Sequence, residues 1–267
     1  MKKEILLPAA AWLGGIGGYA LRRWELAEAY DPQLRLLQTV PATWLLWALS
    51  GALFVLFVLT CRGMRKDLCP KQWFYAPVSC YIMLIVASGF VLMASGFAGL
   101  WQQRLLSVKE NMLLLTGALC LLGGACVLSA GRSVYRGLWS KNTPLLFMGP
   151  SFATLVWLIA AYQRCARQPE TSLYVWQMLS GVAVVLAVYG MVTLAVGKGG
   201  AGRACLFSLI GISLSLTTLA DGYDLPFLLM YLFGLLYLTA QSWMLLCADS
   251  GRMPQGADRD EQTGTKE

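Results

Sequence analysis

Apolar stretches close to 20 residues long, separated by short polar or basic breaks, recur along the whole chain. Eight of them contain no Asp, Glu, Lys or Arg: Ile5–Leu21, Ala42–Cys61, Ala76–Leu100, Met112–Gly131, Leu145–Tyr162, Leu173–Gly197, Ala204–Ala220 and Leu225–Cys247. At about 1.5 Å rise per residue, roughly 20 helical residues cross the roughly 30 Å hydrocarbon layer of a bilayer. Backbone groups in lipid must be satisfied within the span, so each stretch predicts a helix. The short alternating segments of a membrane β-barrel are missing. The pattern therefore predicts an all-α, polytopic membrane helix bundle with about eight transmembrane helices. The first and seventh stretches are the shortest, so six or seven spans remain if these two fail to cross.

Composition agrees: 57% of the 267 residues are hydrophobic and 13% are charged, about half the charged share of an ordinary soluble domain. The surplus apolar surface is assigned to lipid. Met1-Lys2-Lys3 ahead of an apolar run is similar to a secretory signal, but the run passes Ala9-Ala10-Ala11 into Gly14-Gly15-Ile16-Gly17-Gly18. It reads as an uncleaved first helix.

Charge sets the expected orientation. With eight spans, one face carries 14 of the 21 basic residues, among them Lys2, Lys3, Arg62, Arg65, Lys66, Arg132, Arg136, Lys198 and Arg203. The other face holds Arg22, Arg23, Arg35, Arg104, Lys109, Arg164 and Arg167, balanced by seven acids. The positive-inside rule places both termini in the cytoplasm of a bacterial plasma membrane. The net charge of +7 is then a topology signal, helped by anionic lipid headgroups, and points to membrane lipids rather than nucleic acid as the partner. Trp24, Trp44, Trp47, Trp73, Trp101, Trp139 and Trp176 fall near span ends as an aromatic belt.

Residues 1–247 form the membrane domain, and 248–267 read as a disordered cytoplasmic tail with few large apolar residues. The helix of the first span is expected to continue through Arg22 and Glu25 until Asp31-Pro32 stops it. Thr143 and Asp224 are placed as caps of the fifth and eighth spans. Trp47-Ala-Leu-Ser-Gly-Ala resembles Trp176-Gln-Met-Leu-Ser-Gly-Val, the trace of a weak four-plus-four repeat.

Candidate chemistry is sparse. Ser208, Ser215 and Thr218 share one face of the seventh span with Ala204 and Gly211. They read as a packing seam or, with Gln177 and Gln241, as the lining of a polar interior; both amides need partners in lipid. Pro150, inside the fifth span, predicts a kink. Asp221 and Asp224 share a tight acidic turn that could bind a cation, or pair with Arg104 or Arg164. Gly197-Lys-Gly-Gly-Ala-Gly-Arg203 lacks the GxxxxGK[ST] spacing of a phosphate loop and reads as a turn. Histidine is absent, which removes bis-histidine haem, HExxH metalloprotease and serine–histidine chemistry. The eight cysteines lack CxxC spacing and read as small buried apolar residues. No catalytic residue, metal ligand or cofactor is assigned.

The segment Gly18-Tyr-Ala-Leu-Arg-Arg-Trp-Glu-Leu-Ala-Glu-Ala-Tyr-Asp-Pro32, with Pro41-Ala-Thr-Trp44, resembles uncharacterised multi-spanning membrane proteins of Gram-positive bacteria. That resemblance implies the fold and no activity. The eight-span layout is also similar to quinone-reactive anchor subunits of membrane oxidoreductases. Three roles are therefore carried forward: a non-catalytic anchor or scaffold with a membrane or peripheral protein partner, a permease for an uncharged or lipid-like solute, and such a quinone-reactive anchor. An enzyme ranks behind these.

Overall fold

The computed structural model describes residues 3–31, 36–37, 40–64, 70–74, 79–105, 111–137, 142–166 and 174–251. Within them the helices are α1 (Lys3–Ala29), α2 (Pro41–Cys61), α3 (Pro70–Trp73), α4 (Ser79–Leu105), α5 (Asn111–Tyr135), α6 (Thr143–Ala166), α7 (Val175–Ala195), α8 (Ala201–Thr218) and α9 (Leu225–Asp249). All except the single turn α3 are long and apolar enough to span a membrane. The chain is a multi-pass integral membrane protein.

The first and seventh spans, short in the sequence, are both full length. Helix α1 runs eight residues past Leu21, and α8 is extended by a 3-10 turn, Leu219–Asp221. After α1 a two-residue antiparallel pair, β1 (Tyr30–Asp31) with β2 (Leu36–Leu37), sets Tyr30 opposite Leu37. Residues 252–267 of the expected tail lie outside the described residues.

Helices α4, α5, α6, α7 and α8 pack in chain order wherever they are neighbours, and α9 closes the ring by lying against both α8 and α4. The α1–α2 pair is attached to this ring through α8. Helices α8 and α9 are therefore the core, each with 67% of its apolar window buried, whereas α2 on the rim has 17%. Consecutive spans pack as neighbours in both halves, α1 with α2 and α6 with α7, α4 with α5 and α8 with α9. The extensive α7–α8 packing has no counterpart between α2 and α4 among the described residues.

Ser250 donates to Glu4, and the Cys247 thiol lies 3.8 Å from the same carboxylate, so the start of α1 and the end of α9 share one face of the bundle. We call it the terminal face. Helix α1 reaches α8 and the turn after it through a stripe at three- and four-residue steps, Gly15, Gly18 and Arg22. A Cβ on Gly18 would collide with Thr217 Oγ1, so only glycine permits this approach.

Candidate functional site

The candidate polar residues fall in three places. The first is at the face opposite the termini. Arg22, 1% exposed, donates from Nε to Asp221 Oδ1 and from Nη1 to Glu25 Oε2, each at 2.7 Å. Thr43 of α2 donates to Glu25 Oε1 at 2.7 Å, and Tyr223 donates to Asp221 Oδ2 at 2.9 Å. Both carboxylates thus have a cation and a neutral donor, the condition under which burying charge is tolerated. Burial, with Tyr231 and Asp221 alongside, pushes the Tyr223 phenol upward, so it stays a donor. Beside this cluster Arg164 pairs with Asp224 at 2.7 Å and lies 4.5 Å over the Phe227 ring.

Asp221 and Asp224 therefore form two cation-paired carboxylates. Of the two partners considered for the acidic turn, Arg164 is the one used. Asp224 occupies the N-cap position of α9, but its side chain makes no cap hydrogen bond; Arg164 and Gln102 take that carboxylate instead. Together with Gln177 and Tyr223 these groups line a cavity of about 270 Å³.

The second place is the α7–α8 seam. Ser215 and Ser180 hydroxyls meet at 3.1 Å across it. Ser208 donates to the Ala204 carbonyl and Thr218 to the Ser215 carbonyl, within their own helix. Such back-bonding satisfies a hydroxyl without a partner helix, so the stripe behaves mainly as a seam.

The third is deeper, between α4, α6 and α9. Gln241, 1% exposed, faces the hydroxyls of Tyr81 and Tyr237. Pro150 lines the same small void with these three residues. Gln241 Oε1 and the Tyr237 hydroxyl have no hydrogen-bond partner among the described residues.

The sequence-based polar interior is thus not one site. Gln177 belongs to the cavity at the face opposite the termini, where its Oε1 receives the Cys165 thiol at 3.6 Å and its carbonyl the Tyr231 hydroxyl at 3.4 Å. Gln241 and Pro150 belong to the deep void, and Ser208, Ser215 and Thr218 to the seam. The reason is geometric: Gln177 stands in the first turn of α7, whereas Gln241 lies in the terminal half of α9 and faces α4 rather than α8.

Sequence reasoning placed Arg22 only on the less basic face, in the continuation of the first helix, and missed that it is buried against the turn that follows α8. The signal was present, since Arg22 and Glu25 continue the helical stripe of Gly15 and Gly18. Among the described residues no three His, Cys, Asp or Glu side chains converge as metal ligands. All cysteines described are free thiols, mostly buried. Comparison with protein-family models, curated proteins and solved structures finds no match for this chain.

Proposed function

We propose that this protein is a permease-type carrier that moves a lipid-like or uncharged solute along the α7–α8 seam. The observation that supports this most is that cavities occupy both ends of the same helix pair. The outer cavity, about 270 Å³, touches Gln177 at the start of α7 and Asp221 just after α8. A second, of about 680 Å³, touches Leu194 near the end of α7 and Ala201, Gly202, Arg203 and Leu206 at the start of α8. Between them the seam is closed by Ser180 and Ser215 and by small residues: a Cβ on Gly190 would lie 3.2 Å from Ala204. Small residues and a hydroxyl pair thus line this seam.

The carrier sits in a bacterial plasma membrane with the terminal face in the cytoplasm; the concentration of Lys and Arg on that face supports this orientation. Purified protein in liposomes with a fluorescently tagged phospholipid on both leaflets tests the carrier. Dithionite bleaches only the outer leaflet, so a carrier raises the bleached fraction well above the protein-free half. Ser215→Leu, which blocks the seam, returns it to that half. No difference between protein-containing and empty liposomes removes the proposal.

The anchor reading has one observation of its own: α2 is the least covered helix and presents Trp44, Phe54 and Leu59 outward. A stoichiometric partner recovered with the tagged protein, together with inert liposomes, selects it.

A further inference from the structure

The cavity of about 680 Å³ opens at the terminal face, where α2 and α7 end and α8 begins. Its existence depends on glycine. Helix α7 stops when Gly197, at φ 81°, turns the chain; the Gly197 N–H then bonds the Leu194 carbonyl and the Lys198 N–H the Thr193 carbonyl, each at 3.0 Å. A side chain on Gly202 would meet the Cys61 carbonyl oxygen at 2.7 Å. The glycine-rich run therefore makes a tight turn from α7 into α8 and lets the start of α8 lie against the end of α2, beside the hollow.

The wall of that hollow has two chemistries. Its apolar part includes Met64, Trp73 and Leu206, and its rim carries Arg62, Lys198 and Arg203. All three cations are exposed, and none forms an ion pair among the described residues. Among the described residues no carboxylate lines the wall. Three like charges around one opening repel each other, and an anion placed between them relieves that repulsion. The depth of the site selects the anion. It lies at the ends of membrane spans, the level of lipid headgroups, and its apolar wall would accept the start of an acyl chain. Its volume is that of an ordinary ligand pocket and far exceeds a bare phosphate ion.

We propose that this cavity binds the phosphate-bearing headgroup of an anionic phospholipid drawn from the surrounding leaflet. The proposal deepens the carrier reading by naming the class of amphiphile, and it rests on that reading only for the transfer step after binding.

Native mass spectrometry of the detergent-purified chain, titrated with phosphatidylglycerol, phosphatidylcholine or soluble glycerol 3-phosphate, tests it. The chain retains one phosphatidylglycerol in preference to phosphatidylcholine. Lys198→Gln with Arg203→Gln weakens that retention about 30-fold, the effect of two basic residues at a membrane surface, and leaves the unfolding midpoint unchanged. Arg132→Gln with Arg136→Gln removes the same charge from α5 and the residue just after it, outside the cavity, and leaves retention intact. Equal retention of the two lipids, an equal loss in the control, or displacement by an equal concentration of glycerol 3-phosphate overturns the proposal. The dithionite assay separates it from the carrier: retention without exchange keeps this site and removes the carrier, and exchange without lipid preference does the reverse.

Discussion

The two ends of the α7–α8 pair handle charge in opposite ways. At the outer end every described carboxylate of the cluster has a cation within 2.7 Å, and Arg22 is buried between Glu25 and Asp221. At the terminal end Arg62, Lys198 and Arg203 ring an open cavity with no carboxylate in its wall among the described residues. Charge neutralised inside the molecule ties helices together, since Arg22 belongs to α1 and Asp221 to the end of α8. Charge left open to the surface contributes nothing to that tie and is free for something that arrives from outside. The first end is thus read as part of the fold and the second as a receiver.

Three substitutions probe this contrast. The largest effect belongs to Arg22→Met, which leaves Glu25 and Asp221 buried without their cation; a loss of about 3–5 kcal/mol is expected. Thermal unfolding in detergent would read it, and a loss no greater than that of Arg23→Met would show that the outer cluster does not tie α1 to α8. Next comes Gly202→Val at the open end. Its Cβ meets main-chain oxygen rather than a flexible side chain, so about 1–3 kcal/mol is lost, together with phosphatidylglycerol retention. An unchanged midpoint would mean that the hollow does not depend on this contact. The smallest is Asp224→Asn, which removes a pair whose members are 33% and 52% exposed. Less than about 1 kcal/mol is expected there; a fall as large as that of Arg22→Met would erase the distinction drawn between buried and exposed pairs at the outer end.

The spans were legible because lipid imposes a length and a charge rule that leave few alternatives, and even the short first and seventh stretches proved to be whole helices. Their boundaries were less so. Lipid-based counting stops at the first charge, while Arg22 stays in the bundle because a partner 199 residues away neutralises it. The hydroxyl stripe of α8 was visible as a pattern but not as a role, because Ser208 and Thr218 can bond to carbonyls of their own helix anywhere along it. Gln177 and Gln241 looked equivalent as amides inside apolar spans; only the packing of α9 against α4 separates them. The terminal cavity was hidden for another reason: Arg62, just after α2, and Arg203, in the first turn of α8, are far apart in the chain, and no spacing links them.

The pairing of Arg22 with Asp221 also orders the protein's biosynthesis. A ribosome adding about 5–20 residues per second needs roughly 10–40 s to travel between these two positions. Through that interval the first helix has left the ribosome while its eventual neighbour is unmade, and Glu25, three residues on, is the only cluster acid already synthesised to hold the guanidinium. Helix α1 consequently acquires its full set of partners only after α8 is made, and a translation pause ahead of α8 would lengthen the time it waits half-partnered in the bilayer.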